Sequence, residues 1–77
     1  EVVAYPNPTD GRIVFETSQA PSEARVILRD IVGQVLVEKS YASANVFDIF
    51  IPGPPGIYLA EIIFSDYRRA CFKIIRK

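Results

Sequence analysis

Short apolar stretches alternate with groups of turn-forming residues along this 77-residue chain. The clearest pattern lies at residues 24–30, where Val26 and Leu28 fall on one side of an extended chain and Arg25 and Arg29 fall on the other. This period of two is typical of a β-strand with one buried face. No window shows the period of about 3.6 residues that marks an amphipathic helix. The pattern predicts strands at residues 1–5, 12–17, 24–30, 34–39, 46–51, 57–64 and 70–77.

Turn residues separate the predicted strands. Pro6 and Pro8 fix the backbone and remove two N–H donors, and the Asp10–Gly11 pair favours a reversal, so the first connection is predicted to be a stiff loop. Gly33 allows a positive φ in the connection that begins at Asp30. The remaining predicted connections are residues 18–23, 40–45, 52–56 and 65–67.

Six or seven short strands with turns between them indicate an all-β, immunoglobulin-like antiparallel sandwich. A small closed barrel is the alternative architecture. The stretch at residues 57–64 is the most apolar and is expected to be a central strand. Ile27 lies among outward-facing residues, which suggests a partly covered second face. The side chains expected to face the core are Ile13, Phe15, Val26, Leu28, Val35, Val37, Phe47, Ile49 and Ile51.

The residue inventory argues against an enzyme. Histidine is absent, which removes the commonest general base and the Ser-His-Asp and Cys-His arrangements. Cys71 is the single cysteine, so it has no intramolecular disulfide partner, and it reads as an unreactive strand residue. Asp10, Asp30 and Asn7 match no calcium-loop spacing. The prediction is therefore no catalytic residue, no metal and no cofactor.

Charge is distributed unevenly, although the formal net charge is zero. Residues 1–65 hold four cations and eight acids, a net of −4, whereas residues 66–77 hold five cations and one acid, a net of +4. The zero total argues against nucleic acid as a partner. The basic end has two interpretations: it protects an edge strand from aggregation, or it is a recognition surface.

Four tyrosines raise the alternative of a carbohydrate-binding surface. Tyr58 is expected in the core with its hydroxyl on a partner at the rim. Tyr41 and Tyr67 lie in predicted connections and are expected to be more exposed. Because tryptophan is absent, sugar binding is the weaker interpretation.

Four motifs stand in a fixed order along the chain. They are Tyr5-Pro6-Asn7-Pro8-Thr9-Asp10-Gly11, Val26-x-Leu28-x-Asp30-x-x-Gly33-x-Val35, Pro55-Gly56-Ile57-Tyr58-Leu59 and Lys73-Ile74-Ile75-Arg76-Lys77. Together they resemble the type A C-terminal sorting domain of proteins exported by the type IX (Por) secretion system of Bacteroidetes. The resemblance covers essentially the whole chain. Pro54-Pro55-Gly56 departs from the family's Pro-x-Gly-x-Tyr spacing by an extra proline, so Pro54 fills the proline position.

The resemblance implies a transport signal, with an immunoglobulin-like fold of about seven strands. Such a domain would direct an N-terminal cargo protein from the periplasm through the outer-membrane translocon. A cell-surface sortase would then remove it at a bond upstream of or near Glu1, leaving the cargo at the cell surface or outside the cell. Residues 1–77 would thus be one sorting domain at the tail of a longer secreted protein, with no nucleic-acid or small-molecule substrate.

The resemblance also assigns candidate residues. Pro55, Gly56, Tyr58, Lys73, Arg76 and Lys77 are the expected recognition residues, and Pro6, Asn7, Pro8, Gly11, Asp30 and Gly33 are the expected structural motif. Deleting Arg76 and Lys77 is expected to leave folding intact. The alternative function is a non-catalytic accessory sandwich for adhesion or carbohydrate binding. An exposed edge strand also allows weak self-association.

Overall fold

The protein is described by a computed structural model that places residues 1–18 and 22–77. Seven strands form, in agreement with the sequence pattern, and none of the described residues is helical. No described segment therefore provides a helix long and apolar enough to cross a membrane. The strands are β1 Val2–Tyr5, β2 Arg12–Thr17, β3 Ser22–Asp30, β4 Val35–Ala44, β5 Val46–Phe50, β6 Gly56–Phe64 and β7 Arg69–Arg76.

The strands form two antiparallel sheets that enclose one hydrophobic core. One sheet has the order β1-β2-β5 and the other has the order β4-β3-β6-β7. The predicted immunoglobulin-like sandwich is confirmed, and the closed barrel is not. β6 pairs with β3 on one side and β7 on the other, so the most apolar strand is central as expected. β7 is an edge strand.

Alternation along the strands delivers side chains from both sheets to the core. Ile13 and Phe15 of β2 are fully buried, as are Val26 and Leu28 of β3. The rest of the buried cluster is Ala24, Phe47, Ile49, Ile51, Tyr58, Ala60, Ile62, Phe64 and Ile74. Ile27 is only 6% exposed although its neighbours Arg25 and Arg29 lie on the outer face, which confirms the partly covered second face.

β4 differs most from its prediction. It continues to Ala44, so residues 40–44 of the predicted loop at 40–45 are strand. These small polar residues remain extended because β3 pairs with them, through Ser22, Ala24 and Arg25. The expectation that Val35 faces the core is wrong: Val35 is 46% exposed, because a register shift between Leu28 and Arg29 skips one residue of β4.

The other connections follow the sequence closely. β3 begins at Ser22, so the predicted loop at residues 18–23 is shorter, and residues 19–21 lie outside the described residues. The turn at residues 65–67 forms, with Tyr67 at φ 70°. Tyr5–Pro6 and Asn7–Pro8 are cis peptide bonds.

Candidate functional site

The four sequence motifs meet at one end of the sandwich, which we call the motif end: residues 6–11, 30–34, 52–56 and 75–77. Strand registers bring them together, because the start of β6 lies beside the ends of both β3 and β7. Gly56 pairs with Arg76, and Tyr58 pairs with Asp30. Ile51, just after β5, donates its N–H to the Gly11 carbonyl at 2.8 Å. Segments that are far apart in sequence therefore form one surface.

A side chain from the loop at residues 6–11, which we call the proline loop, extends the sheet beside β7. The side-chain Nδ2 of Asn7 donates to the backbone carbonyl of Lys73 at 2.9 Å, and the side-chain Oδ1 of Asn7 accepts from the Ile75 N–H at 2.9 Å. Asn7 thus copies the donor and acceptor pattern of a peptide group on a neighbouring strand. The flanking Pro6 and Pro8 have no N–H to offer, so the side chain of Asn7 supplies the missing donor.

Thr9 continues this contact along β7 with its backbone. Its N–H donates to the Ile75 carbonyl at 2.8 Å, and its carbonyl accepts from the Lys77 N–H at 2.8 Å. The Thr9 hydroxyl also accepts the Gly11 N–H at 3.0 Å and donates to the Arg12 carbonyl. Thr9 is only 1% exposed, so this polar side chain is buried with its hydrogen bonds satisfied.

Arg76 joins β7 to two loops of the motif end. One terminal nitrogen donates to the Gly53 carbonyl, and the other donates to the Asp10 carbonyl at 3.1 Å. The guanidinium carbon lies 5.6 Å from the ring centroid of Phe50, within cation–π range. The Arg76 Nε is buried and has no hydrogen-bond partner. Arg76 is therefore a half-buried clamp, not the freely displayed cation that the sequence analysis expected.

The alternation of β7 explains this placement. Even-numbered residues point inward, so Arg76 follows Phe72 and Ile74 on the core-facing side. Odd-numbered residues are exposed, which leaves Lys73 on the outer face. Lys77 is also exposed, with its ammonium 3.8 Å from the Asp10 carboxylate, and at that exposure the pair is weak.

The entry to β6 is fixed by a tyrosine. Tyr58 is 4% exposed, and its hydroxyl donates to the Pro54 carbonyl at 2.5 Å, so the expected core position with a partner at the rim is confirmed. A Cβ on Gly53 would lie 2.2 Å from that hydroxyl, so any other residue there would displace the buried Tyr58 ring. Pro55 and Gly56 are exposed at the surface.

The carboxylate of Asp30 stabilises its own turn. One Asp30 oxygen accepts the N–H groups of Val32 at 3.1 Å and Gln34 at 2.9 Å. Gly33 has φ 94°, the left-handed backbone that the sequence anticipated. The turn displays Ile31 and Val32, which are 71% and 83% exposed, at the motif end.

The acidic side chains form separate ion pairs, and the single thiol is exposed. No three metal-ligating side chains cluster among the described residues. Glu61 accepts from Arg29 at 3.1 Å and from Arg69 at 3.0 Å on the outer face. The Arg68 side chain donates to Asp66 and, together with the Arg68 N–H, lowers the pKa of that carboxyl. Cys71 is exposed on β7.

The tyrosines do not form a common surface in the described part of the chain. Tyr41 was expected at an exposed turn, but it lies half-buried in β4, stacks on Phe47 and donates to the Asp48 carbonyl. Tyr67 is 92% exposed, as expected, in the turn at the end opposite the motif end. Tyr5 lies at the motif end, where its hydrogen bond to Glu16 raises the pKa of its phenol.

Sequence reasoning missed Thr9, Asp10, Phe50 and Gly53 as members of this site. Thr9, Asp10 and Gly53 lie in connections, whose local sequence predicts only a turn. Arg76 carried a usable signal, because its even position in the alternating β7 already placed it with Ile74.

No family model and no curated protein matches this sequence. Among solved structures, the chain is similar to a DUF3244 family protein from Bacteroides vulgatus ATCC 8482, described as having an immunoglobulin-like β-sandwich fold. The TM-score is 0.77 at 14% sequence identity, and the alignment covers 100% of this chain and 95% of that one. At that identity the similarity shows the fold alone: this chain is an immunoglobulin-like β-sandwich.

Proposed function

We propose that this chain is a C-terminal sorting domain of the type IX secretion system, and not an enzyme. The observation that carries the proposal is the convergence of all four sequence motifs on the motif end. The alternation of strand direction places every second connection and the end of β7 at this end of the sandwich. The contacts of Asn7, Thr9 and Arg76 go beyond that topology, because they tie the first loop and the 52–56 segment to the last strand. Recognition by a translocon requires one fixed surface, because a receptor binds groups that are adjacent in space.

Within this proposal the recognition residues, together with Asn7 of the structural motif, divide into two groups. Arg76, Tyr58 and Asn7 are positioning residues, because their polar atoms are occupied inside the domain. Lys73 and Lys77 are the readable charges, since both side chains extend into solvent. The Pro55–Gly56 segment and the Ile31–Val32 turn are also exposed at the motif end and supply apolar surface there.

The pathway follows as a further part of the proposal. A cargo preceding residue 1 would travel with this domain through the periplasm to the outer-membrane translocon. A surface sortase would cleave upstream of or near Glu1, and the cargo would remain at the cell surface or outside the cell. A folded signal suits this route because its recognition groups are held in place before the receptor is met.

The test is a reporter assay in a host with a type IX system. Residues 1–77 are fused to the C-terminus of a periplasmic fluorescent reporter, and its location is measured. The Lys73→Glu/Lys77→Glu variant should hold the reporter in the periplasm. Arg25→Glu/Lys39→Glu makes the same charge change elsewhere on the domain and should still be exported. Equal export of both variants, with both shown to be folded, would sink the proposal.

The accessory-module alternative makes a different prediction. It requires a surface patch of aromatic residues for a ligand. The most exposed aromatic side chains of the described chain are Tyr67, at one end, and Phe50, at the other, and Phe50 is already stacked against Arg76. A C-terminal truncation does not separate the two functions, because removing Arg76 also removes the clamp. The sequence analysis expected that deleting Arg76 and Lys77 would leave folding intact. Because the deletion removes the clamp, the test uses charge reversal at Lys73 and Lys77 instead.

A further inference from the structure

The free edge of β7 is covered over only part of its length. Asn7 and Thr9 occupy the outward groups from the Lys73 carbonyl to the Lys77 N–H. Backbone groups alternate in direction along a strand, so the outward set comprises the odd-numbered residues. Within the described chain no segment pairs with the outward groups of Arg69 and Cys71 or with the Lys73 N–H. We call residues 69–73 the open edge.

The open edge is flanked by cations. Arg69, Cys71 and Lys73 project on the outer face, with a basic residue at each end. Arg69 contacts Glu61 at 3.0 Å but keeps 62% of its side chain exposed. No ion pair involves Lys73 in the described chain.

We propose that the open edge binds an extended acidic segment of another protein by strand addition. The added strand would bond to the outward backbone groups, and its alternate side chains would lie beside those of β7. Acidic residues at its first and fifth positions would face Arg69 and Lys73, with an apolar residue between them beside Cys71. The recognised pattern is acidic-x-apolar-x-acidic.

The charges of Arg69 and Lys73 disfavour a second copy of this chain as the partner of the open edge. Two β7 strands paired antiparallel about Cys71 would place Arg69 of one copy directly opposite Lys73 of the other, twice. Like charges directly opposite each other destabilise a strand pair. The same two cations that disfavour self-pairing favour an acidic strand, so the charge selects the class of partner.

This inference stands on the edge geometry and not on the sorting role, because its test needs only the 77-residue chain. Isotope-labelled protein is titrated with a five-residue peptide, Glu-Val-Val-Val-Glu with blocked ends, and with the same peptide carrying lysine in place of glutamate. We expect the amide signals of Arg69, Cys71 and Lys73 to shift with the acidic peptide only. Lys73→Glu should weaken that binding about fivefold.

Two further comparisons separate strand addition from simple charge attraction. Cys71→Pro removes an outward N–H without removing a bond to β6, because edge positions tolerate proline, and should weaken binding about tenfold relative to Cys71→Ala. Peptides N-methylated on the edge-facing amides should bind less than peptides methylated on the alternate amides, which keeps the test decisive if the proline variant is unstable. Equal binding of the acidic and basic peptides, equal binding of the two methylated forms, no binding at all, or dimerisation through β7 would each overturn the proposal.

Discussion

The two halves of β7 have similar residues and different roles. In the C-terminal half and the residue that follows it, Ile75 to Lys77, every outward backbone group from the Ile75 N–H to the Lys77 N–H is bonded to the loop at residues 6–11, and Arg76 is fixed to two carbonyls. In the N-terminal half, Arg69 to Lys73, the odd-numbered side chains are exposed, and so is most of the edge. A basic residue on β7 is therefore held inside the domain, as Arg76 is, where loops lie beside the strand. It is exposed for binding, as Lys73 is, where they do not.

The largest expected effect comes from adding a side chain at Gly11, which lies against Phe50 and Arg76 in the C-terminal half. Gly11 has φ 139°, and a Cβ there would lie 2.7 Å from the Phe50 ring and 3.1 Å from Arg76. Gly11→Ala should lower the free energy of unfolding by about 3 kcal/mol, measured by denaturant unfolding, because an L side chain is strained at that φ and because the Phe50 ring and Arg76 must shift to admit the methyl group. The matched control is Gly33→Ala, where φ is 94° but no atom lies within 4 Å. It should cost about 1 kcal/mol from backbone strain alone, and equal losses at the two glycines would show that the clamp is not tightly packed.

Next in size is the removal of the Arg76 side chain. Arg76→Ala leaves the Gly53 and Asp10 carbonyls without their donors and exposes Phe50, so it should destabilise the fold by about 2 kcal/mol. Arg76→Lys keeps the charge but cannot donate to both carbonyls at once, and it should recover less than half of the loss. Lys73→Ala, in the open half, should change the free energy of unfolding by no more than about 0.5 kcal/mol. A larger loss of unfolding free energy in Lys73→Ala than in Arg76→Ala would contradict the view that the C-terminal half is structural and the N-terminal half is open.

Amide hydrogen exchange measures the same contrast without destabilising the domain. The Ile75 and Lys77 N–H groups are bonded, whereas the Cys71 and Lys73 N–H groups face solvent, so the first pair should exchange at least about tenfold more slowly. Asn7→Ala should bring the Ile75 rate up by about tenfold. Asn7→Asp retains an acceptor for Ile75 and should keep much of its protection. Protection of Cys71 in the wild-type chain equal to that of Ile75 would contradict an open edge.

The smallest effect belongs to the turn beside the open half. Arg68 holds the pKa of Asp66 below its ordinary value of 3.8, and both groups are accessible to solvent. Since the folded-state pKa is the lower one, this contact contributes stability above pH 3.8 and loses it as the pH falls through the folded-state value. Nuclear magnetic resonance titration of the Asp66 carboxyl should give a midpoint below 3.8, and Arg68→Gln should raise it. An unchanged midpoint in that variant would remove Arg68 as the cause.

The sequence predicted more of the fold than of the site. Period-two alternation, apolar runs and the turn residues between them located all seven strands, because burial of a sheet face leaves an apolar pattern in the strand and reversals need turn residues. The pattern failed for residues 40–44, where small polar residues carry no hydrophobic signal and β3 alone keeps them extended. It also failed for Val35, because a register shift cannot be read from one strand without its partner.

The site depended on contacts between distant segments. Local sequence determined that residues 6–11, 30–33 and 52–56 form turns, since proline and glycine restrict or release the backbone wherever they occur. Because strand direction reverses at each connection, these turns fall at one end of the sandwich. Only the tertiary structure decided that Asn7 and Thr9 cover the C-terminal part of the edge of β7, and that Arg76 is held while Lys73 is free. Strand order and register bring residues more than sixty positions apart into hydrogen-bond contact, as at Asn7 and Lys73, and neither residue carries that information alone.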